Sequence, residues 1–322
     1  MLEVICFGEA VVDMIALEHG VSMDKATAYI AVAGGAVANV AVGLRKLNVT
    51  SGFMGKLGRD PFGTLLARTL TQYGVDVRGL SFTADVRTTL AFVSDREEGF
   101  FFYRNPGADM MVRPEDVDES LIKEATIFHF GSLSMTNEPS QSATTLGLEY
   151  ARKHHLLISF DPNYRPQLWP NEERAKRTIR EAISQVDIVK LSLEELEFLT
   201  GTSNIEKGSG TILDLSASTV IVTAGERGSF ISTGKLSRFV KAPKISAVET
   251  TGCGDAFTAA MLSKIIGWER ERKDIVDLSV TEVDRTLLFA NAAGALTATR
   301  KGVMPSLPTY GELVDFLKKQ GR

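Results

Sequence analysis

A glycine-led segment near residue 250 has the residue types and spacing of a reaction site. The segment Glu249–Phe257 reads ETTGCGDAF and comes just before an apolar helix predicted from Ala259 to Ile266. Glycines at a helix start let the backbone approach a ligand, and the free N–H groups there favour an anion. In phosphoryl transfer a carboxylate accepts the proton of the attacking hydroxyl while fixed donors offset the phosphate charge. Asp255 therefore has a proton-accepting role in one interpretation, and in the other it only caps the helix.

A second glycine cluster precedes the first long helix. Gly34 and Gly35 are followed by small residues and then by Asn39, whose amide offers both donors and acceptors to hydroxyl groups. The alternative is a close helix–strand contact with Asn39 as an N-cap. Asp13 follows the first predicted strand after a short gap. Its carboxylate could hold a vicinal diol, or it could be a turn residue.

Several familiar catalytic signatures do not occur in the sequence. It has no Gly-x-x-x-x-Gly-Lys-Ser/Thr, no Gly-x-Gly-x-x-Gly after a strand, and no Gly-x-Ser-x-Gly. Its four histidines, at 19, 129, 154 and 155, have no metal-ligand spacing. A P-loop kinase, a dinucleotide dehydrogenase, an α/β-hydrolase and a zinc enzyme are therefore weak interpretations.

The elements that must position these residues alternate between buried strands and amphipathic helices. Strands are predicted at 4–7, 51–56, 127–130, 156–161, 188–191 and 219–223. Helices are predicted between them: one carries Val40, Leu44 and Leu47, one begins at Asp60-Pro61, one runs through Tyr150, and others start at 171 and 192. Repeated β-then-α units predict a doubly wound α/β fold, a mostly parallel sheet with helices on both faces.

Two segments interrupt this alternation. Residues 13–32 and 87–104 have no helical periodicity, and the second is predicted as a hairpin of 88–94 and 100–103 that turns at 96–99. We expect the two insertions to form a small β-lid over the carboxyl ends of the core strands. The predicted division is a core of 1–12, 33–86 and 106–322 and a lid of 13–32 and 87–105.

Composition limits the class of protein. The 322 residues include 36 Lys+Arg and 40 Asp+Glu, which gives a net charge of −4 and argues against a nucleic-acid or acidic-membrane binder. No run approaches the ~20 apolar residues of a membrane span, and the start of the chain lacks the basic n-region of a secretory signal. Cys6 and Cys253 are too few for a disulfide framework. We expect a cytoplasmic protein.

The two glycine clusters together resemble the signatures of the ribokinase-like (PfkB) carbohydrate kinases, over residues 5 to about 308. The resemblance implies a doubly wound core with a β-lid, ATP and Mg²⁺ as cosubstrate and cofactor, and a homodimer formed through the lid. It also implies Asp255 as the catalytic base and the N–H groups of Gly252, Cys253 and Gly254 as the anion hole. Asp13, Gly34, Gly35 and Asn39 would hold the sugar hydroxyls.

The resemblance also implies nucleotide and metal sites. Lys190, Ser192 and Glu195 are similar to the family's Asn-x-x-Glu region, with Ser192 where Asn is common, although Ser192 and Glu195 also form the pattern of a capping box. The other implied nucleotide-binding residues are Thr223, Gly225, Gly228, Asn291, Ala292 and Ala295. A potassium site would involve Glu249, Thr251, Thr297, Arg300, Gly302 and Ser306; Glu249 stands where Asp is usual.

Two further stretches resemble fructokinases. One contains Arg104 and Asn105 within 101–110, and the other contains Arg165 within 161–169. Both arginines could bring fixed donors to a polar ligand, or Arg104 could be a solvated hairpin end and Arg165 part of a surface loop. Kinases of 2-keto-3-deoxygluconate share similar segments and remain the rival, followed by ribose and nucleoside kinases. The Asn-Pro-Gly-Ala-Asp-Met continuation favours fructose, phosphorylated at its 6-hydroxyl. A regulator that binds sugar or nucleotide without catalysis is the alternative from another class.

Overall fold

A computed structural model describes residues 2–18, 20–94, 101–271 and 275–321. Over these residues its strands are Val4–Phe7 (β1), Val11–Ala16 (β2), Tyr29–Gly34 (β3), Ser51–Gly58 (β4), Asp76–Thr83 (β5), Leu90–Val93 (β6), Phe101–Tyr103 (β7), Ile127–Gly131 (β8), Leu157–Asp161 (β9), Ile188–Ser192 (β10), Thr219–Thr223 (β11), Ser229–Ser232 (β12) and Ser237–Val240 (β13). Its α-helices are Ala36–Lys46 (α1), Pro61–Gln72 (α2), Glu119–Lys123 (α3), Ser140–Lys153 (α4), Glu172–Ile183 (α5), Leu193–Thr200 (α6), Ile205–Leu213 (α7), Cys253–Arg270 (α8), Val280–Ala298 (α9) and Tyr310–Lys319 (α10).

The large sheet confirms the doubly wound α/β prediction. Its strand order is β13-β12-β11-β10-β9-β8-β1-β4-β5, and every pair from β5 to β11 is parallel. The two strands after β11 are antiparallel, because the chain returns through tight hairpins instead of crossover helices. From β1 the sheet continues to β4 and β5 on one side and to β8, β9, β10 and β11 on the other, so the direction in which strands are added switches at β1. In open α/β sheets ligands bind at such a switch point.

Alternating side chains of the central strands fill two apolar cores, one on each face of the sheet. Val4 and Cys6 point into the core that contains α1, α2, α8 and α9, whereas Ile5 and Phe7 point into the core that contains α4, α5 and α6. This two-sided burial explains why the parallel strands read as short continuous apolar runs. In the described parts of the chain no helix is both long and apolar enough to span a membrane.

The two insertions form a separate four-stranded sheet, as predicted, with the order β3-β2-β6-β7. β2 pairs with β3 and β6 with β7 in antiparallel fashion, and β2 joins the two hairpins by a parallel pairing with β6. The predicted turn at 96–99 and residue 100 lie outside the described residues. The domain boundaries at 12/13, 32/33, 86/87 and 105/106 remain a prediction.

Local sequence signals such as helix caps predicted the ends of some helices and strands but not of others. Asp60 accepts a hydrogen bond from the Gly63 N–H (2.8 Å) with Pro61 as the first residue of α2, as the sequence predicts. Helix α8 begins at Cys253, six residues before the predicted start, because its first turn is built from small and polar residues that carry no apolar periodicity. Strand β5 was not predicted, since its residues are only partly buried on the edge of the sheet.

Candidate active site

A cavity of about 440 Å³ lies at the carboxyl ends of the core strands, beneath the small sheet. Its wall is formed by the lid, by the glycine cluster before α1, by the loops after β8 and β9, and by the start of α8. The lining residues are Glu9, Val11, Asp13, Gly35, Ala36, Asn39, Val93, Ser94, Phe102, Leu133, Asn163, Arg165, Thr250, Thr251, Gly252, Gly254 and Asp255. The predicted residues Asp13, Gly35, Asn39, Arg165, Gly252, Gly254 and Asp255 are therefore together, although they come from distant parts of the sequence.

Asp255 lies on the cavity wall and is only 6% exposed. Its Oδ2 accepts a hydrogen bond from Asn39 Nδ2 at 2.7 Å, and its Oδ1 faces Asn163 Nδ2 at 3.5 Å. Two amide donors thus orient the carboxylate from opposite sides. Helix α8 is capped by Gly252, which has φ 81° and contributes no side-chain hydrogen bond. The interpretation of Asp255 as a helix cap is wrong, because Gly252 is the cap residue and the Asp255 carboxylate bonds to Asn39 on α1.

The first turn of α8 supplies N–H groups that have no acceptor within the helix. One of the three amides predicted for an anion hole is engaged, because the Cys253 N–H donates to the Thr250 carbonyl at 3.2 Å. Gly254 lies near a cation: a Cβ built on it would be 3.3 Å from Lys190 Nζ. The start of α8 therefore combines a helix N-terminus with a buried ammonium, and both attract an anion.

Lys190 belongs to a buried polar network behind Asp255. Its Nζ donates to Asp161 Oδ2 at 3.0 Å, and Thr258 Oγ1 donates to the same oxygen at 3.0 Å. The other oxygen, Asp161 Oδ1, is buried without a hydrogen-bond partner among the described residues. Burial opposes the charge on Lys190, but the carboxylates of Asp161 and Glu195 leave its pKa raised. Lys190 therefore stays a cation next to the anion site.

Burial raises the pKa of both carboxyl groups that face the cavity. The pKa of Asp255 rises to about 6, with the Asn39 hydrogen bond opposing the shift and the charge of Asp161 adding to it. The pKa of Asp13 rises to about 7, mainly through burial, with the Asp255 charge adding to the shift and Arg165 opposing it. A carboxylate whose pKa lies near neutrality is well suited to accept a proton.

Asp13 and the glycine pair are built for close contact. Asp13 lies within β2 and is 5% exposed, so the interpretation as a turn residue is wrong. A side chain at Gly34 would overlap with the Asp13 carboxylate. Gly35 has φ 102°, and a Cβ there would be 2.7 Å from the Glu9 carbonyl oxygen. Only glycine fits at both positions, because one admits the carboxylate and the other has a left-handed backbone.

Asn39 is the fourth residue of α1, at the end of its first turn. Its backbone N–H donates to the Gly35 carbonyl at 2.8 Å, so it lies inside the helix and is not the N-cap. Its side-chain Oδ1 is buried and lacks a partner in the part of the chain that the structure describes. Asn39 thus orients Asp255 through its Nδ2 and offers an acceptor to a ligand through its Oδ1.

The two fructokinase-like arginines have different surroundings. Arg165 lines the cavity and donates from Nη1 to the Tyr164 carbonyl at 3.2 Å. The Arg104 side chain is 2% exposed, so Arg104 is not a solvated hairpin end. Its guanidinium donates to Asp109 Oδ2 (2.7 Å), Thr136 Oγ1 (3.0 Å) and the Leu133 carbonyl (3.0 Å). Neither Arg104 nor Asn105 is among the residues that line the cavity.

This geometry predicts that Arg104 stabilises the fold. Replacing Arg104 with alanine leaves Asp109 as a buried unpaired charge, so we expect the free energy of unfolding to fall by about 3–5 kcal/mol. Chemical denaturation of wild type and Arg104→Ala measures the change. Unchanged stability together with a large rise in the KM for sugar would instead assign Arg104 to the substrate.

The residues predicted to bind the nucleotide come from the β10–β12 part of the sheet and from helices α6 and α9. Ser192 and Glu195 form a complete capping box on α6: Ser192 Oγ accepts from the Glu195 N–H (3.1 Å), and Glu195 Oε2 accepts from the Ser192 N–H (2.7 Å). Glu195 Oε1 also accepts from the Tyr164 N–H at 2.7 Å. Burial raises the pKa of Glu195, and the nearby Lys190 charge opposes that shift.

The remaining residues predicted to bind the nucleotide lie in the hairpin between β11 and β12 and on α9. Thr223, Gly225 and Gly228 form the hairpin between β11 and β12, and Gly228 has φ 122°. Asn291 is buried on α9 and donates from Nδ2 to the Val240 carbonyl at 2.9 Å. Ala292 is fully buried on the same helix, and Ala295 is half-buried.

The six predicted potassium positions belong to segments that meet beside α8. Glu249 joins them: its Oε2 accepts from the Gly302 N–H (3.0 Å), and its own N–H donates to the Ala298 carbonyl (3.2 Å). The Arg300 N–H donates to the Thr297 carbonyl at 3.1 Å, and Ser306 Oγ donates to the Val303 carbonyl at 2.7 Å. Thr251 lies on the cavity wall. Among the described residues no group of three or more His, Cys, Asp or Glu side chains could hold a metal.

Sequence reasoning did not select four residues that contribute to this site. Glu9 and Asn163 line the cavity, while Asp161 and Thr258 hold Lys190. Each follows or ends a strand, or lies one turn after Asp255, and polar residues at strand ends are the signal that could have identified them.

Comparison with known proteins gives consistent results. The model of the pfkB family carbohydrate kinases matches residues 1–310. A protein from Arabidopsis thaliana named probable fructokinase-2 is 41% identical, covering 98% of this chain and 96% of its own. The crystal structure of fructokinase with bound ATP from Xylella fastidiosa has a TM-score of 0.90 at 33% identity, over 99% of both chains.

A second solved structure carries the sugar as well. It is the fructokinase from Vibrio cholerae O395 in its fructose-, ADP- and calcium-bound form, with a TM-score of 0.87 and 33% identity over 98% of this chain and 99% of that one. The family model covers 310 of the 322 residues, and the relative and the two solved structures each cover at least 98% of this chain. This chain belongs to the pfkB family of carbohydrate kinases.

Proposed function

We propose that this protein transfers the γ-phosphoryl group of ATP to the 6-hydroxyl of fructose. The observation that carries the proposal is Asp255: a buried carboxylate on the cavity wall, oriented by two amide side chains, in the first turn of a glycine-led helix. An ADP-coupled assay across fructose, 2-keto-3-deoxygluconate, ribose and nucleosides tests it. Fructose should give the highest kcat/KM, and preference for another acceptor would overturn the proposal.

The charges of the cavity favour a neutral sugar over a sugar acid. Three carboxyl groups line it, from Glu9, Asp13 and Asp255, against one arginine, Arg165. A carboxylate substrate such as 2-keto-3-deoxygluconate would be repelled by this set, whereas hydroxyl groups donate hydrogen bonds to it. The fructokinase names of the relatives described above agree with this choice.

The proposed reaction uses the chain's own groups in order. Asp13, Gly34, Gly35 and Asn39 hold the sugar, and Arg165 donates to it from the cavity wall. Asp255 accepts the proton of the 6-hydroxyl as its oxygen attacks the γ-phosphorus and ADP leaves. The N–H groups of Gly252 and Gly254 and the Lys190 ammonium stabilise the charge that develops on the phosphoryl oxygens, while the Cys253 N–H stays bonded to the Thr250 carbonyl.

The small sheet acts as a lid in this proposal. Val93 and Phe102 line the cavity from the lid strands β6 and β7, and Val11 lines it at the start of β2. Closing apolar side chains over the sugar excludes water, which otherwise competes with the hydroxyl as phosphoryl acceptor. We therefore assign residues 13–32 and 87–105 to substrate enclosure. Arg104 and Asn105 are not among the residues that line the cavity, so the proposed reaction gives them no direct contact with the sugar.

Mg²⁺ fits this site as an ion carried mainly by the nucleotide. Glu195 already accepts one backbone N–H on each carboxylate oxygen, so it suits a contact through water better than direct ligation. When bound, the ion neutralises charge on the ATP phosphates. We propose that Glu195 faces its hydration shell and that Lys190 and Ser192 lie beside the phosphates. Thr223, Gly225, Gly228, Asn291, Ala292 and Ala295 would form the adenosine side.

Potassium fits the loop beside α8. The segments at 249–251 and 297–306 bring backbone carbonyls and one carboxylate, hard oxygen ligands, to one place. We propose that Glu249, Thr251, Thr297, Arg300, Gly302 and Ser306 surround the ion. Replacing K⁺ with choline should lower kcat, and equal rates in both salts would remove this site.

A catalytically inactive regulator is the alternative from another class. The cavity retains the carboxylate that such a protein would be free to lose. Measuring ADP release with and without sugar separates the two functions, because a regulator would bind fructose and ATP without turnover.

The proposed roles predict an acidic limb in the pH dependence of kcat/KM. Asp255 and Asp13 must both be ionised, one as base and one as acceptor, so activity should fall as the pH drops through about 7 and about 6. Because the two groups interact, the limb belongs to the pair and should involve two protons. In Asp13→Asn the limb should involve one proton. A rate that stays constant between pH 8 and pH 5 would contradict the assignment of Asp255.

We propose a homodimer formed through the lid. β3 and β7 are the edges of the small sheet, and Ile30, Phe101 and Tyr103 on them are 49%, 57% and 64% exposed. Exposed apolar edge strands favour pairing with another chain. Sedimentation should give the mass of two chains, and a monomer at working concentrations would end this proposal.

We also propose a cytoplasmic location. Cys6 and Cys253 are both free thiols, which suits a reducing compartment. Microscopy of a fluorescent fusion would test it, and an extracellular signal would contradict it.

A further inference from the structure

Glu9 is a buried carboxyl group for which the proposed reaction has no role. It follows β1, lines the cavity and is only 2% exposed. Its Oε1 accepts from the Val37 N–H at a long 3.4 Å, and its Oε2 is buried without a hydrogen-bond partner in the described residues. Buried carboxyl oxygens are normally satisfied, since an unpaired one is destabilising. An orphaned oxygen on a cavity wall points to a ligand.

The neighbouring cation does not satisfy this group. Arg104 is near enough to affect Glu9 electrostatically, but its guanidinium is committed to Asp109, Thr136 and Leu133. Burial raises the pKa of Glu9 to about 7, and the charge of Asp109 adds to that shift. The guanidinium of Arg104 is therefore already paired, and it makes no hydrogen bond to Glu9 Oε2.

Glu9 and the reacting centre are carried by different elements. A Cβ built on Gly131, the last residue of β8, would lie 3.9 Å from Glu9 Oε2, whereas Asp255 lies in the first turn of α8 and bonds to Asn39. A ligand that reaches Glu9 Oε2 while its reacting oxygen lies at Asp255 must carry several hydroxyl groups along its length. Hydroxyls are the neutral donors that match an orphaned acceptor.

We propose that Glu9 is a specificity-determining residue that accepts a hydrogen bond from one sugar hydroxyl other than the hydroxyl that is phosphorylated. This inference rests on the proposed function and deepens it. It makes the cavity selective for sugars with a donor at that position, because a sugar lacking it leaves the buried carboxyl unpaired.

The test combines variants of Glu9 with deoxy sugars. Glu9→Gln keeps the size and the Val37 contact but turns the acceptor into a donor, and Glu9→Ala removes the group. The substrates are fructose and its monodeoxy analogues, each lacking one hydroxyl other than that at C6. Glu3→Gln is the matched control, because Glu3 precedes the same strand and bonds Thr50 and Arg270 away from the cavity.

Both variants should lower kcat/KM for fructose about 10- to 100-fold, mainly through KM, while Glu3→Gln leaves it unchanged. For one analogue the variants should match wild type within about threefold, because the partner hydroxyl is already missing. Wild type itself should discriminate against that analogue by about the same 10- to 100-fold, which tests the inference even if a variant folds poorly.

Thermal melts at pH 8 should show Glu9→Gln no less stable than wild type, since it removes a buried carboxylate.

The outcomes separate this inference from the function on which it rests. If wild type does not phosphorylate fructose, both are overturned. If wild type does so, but the variants lose nothing or lose the same factor on every analogue, only the role of Glu9 is overturned. A uniform loss would indicate a packing role or a bound water in place of the hydroxyl.

Discussion

Asp255→Asn is expected to lower kcat about 10²- to 10⁴-fold while fructose affinity changes less than about threefold. The carboxamide has the size of the carboxylate, and its one oxygen can still accept from Asn39, while its NH₂ group replaces the oxygen that faces Asn163 at 3.5 Å. It cannot accept the hydroxyl proton. Steady-state kinetics give kcat, and calorimetric titration gives the fructose Kd. The split between these two quantities distinguishes a base from a binding residue.

Two controls accompany this variant. Asp284→Asn makes the same change at an ion pair with Arg238 outside the cavity and should retain wild-type turnover.

The second control is stability. Because the pKa of Asp255 is raised to about 6 in the folded protein, ionisation of this group lowers the free energy of unfolding as the pH rises from about 4 through about 6. Asp255→Asn lacks that loss and should melt no lower than wild type at pH 8. Turnover above half the wild-type rate would remove Asp255 from its role.

Asp13→Ala is expected to lower kcat/KM for fructose about 10²- to 10³-fold, mostly by raising KM. Asp13 is buried on the cavity wall, and losing a charged hydrogen-bond partner of several sugar hydroxyls removes more binding energy than losing a neutral one. Gly34→Ala should cause a loss of similar size, because its methyl group overlaps with the Asp13 carboxylate. Initial-rate kinetics over a wide fructose range measure both effects.

The double variant tests whether the two residues act together. In Asp13→Ala with Gly34→Ala the methyl group meets no carboxylate, so the two losses should not add. Gly210→Ala is the matched glycine control, because a Cβ there has open space and the helix accepts alanine. Fully additive losses would mean that Gly34 acts independently of Asp13.

Local patterns predicted the elements well because the relevant interactions are short in sequence. The cap of α2 spans Asp60 to Gly63, and the capping box of α6 spans Ser192 to Glu195. Apolar runs such as Val4–Phe7 marked the buried central strands. Strand β5 was missed, since an edge strand is partly exposed and has no continuous apolar run.

The site depends on contacts that no local pattern contains. Asn39 and Asp255 are 216 positions apart and meet only because α1 and α8 pack side by side. The resemblance to a family assigned both residues to one site but did not predict the hydrogen bond between them. The resemblance also suggested Arg104 as a sugar ligand. In the structure its guanidinium bonds to Asp109, five residues away, and to Thr136, which follows β8. The sequence did not predict Glu9 as a site residue, because a single carboxylate after a strand forms no recognisable motif.

The most direct test of the central claim follows the product itself. Wild-type protein, fructose and ATP are mixed with Mg²⁺, and ³¹P and ¹³C NMR identify which oxygen gains the phosphoryl group and how fast, with Asp255→Asn run in parallel at saturating fructose. We expect fructose 6-phosphate from wild type and at least about 10²-fold slower formation from the variant. Phosphorylation at another oxygen, or the same product at a similar rate from Asp255→Asn, would contradict the claim.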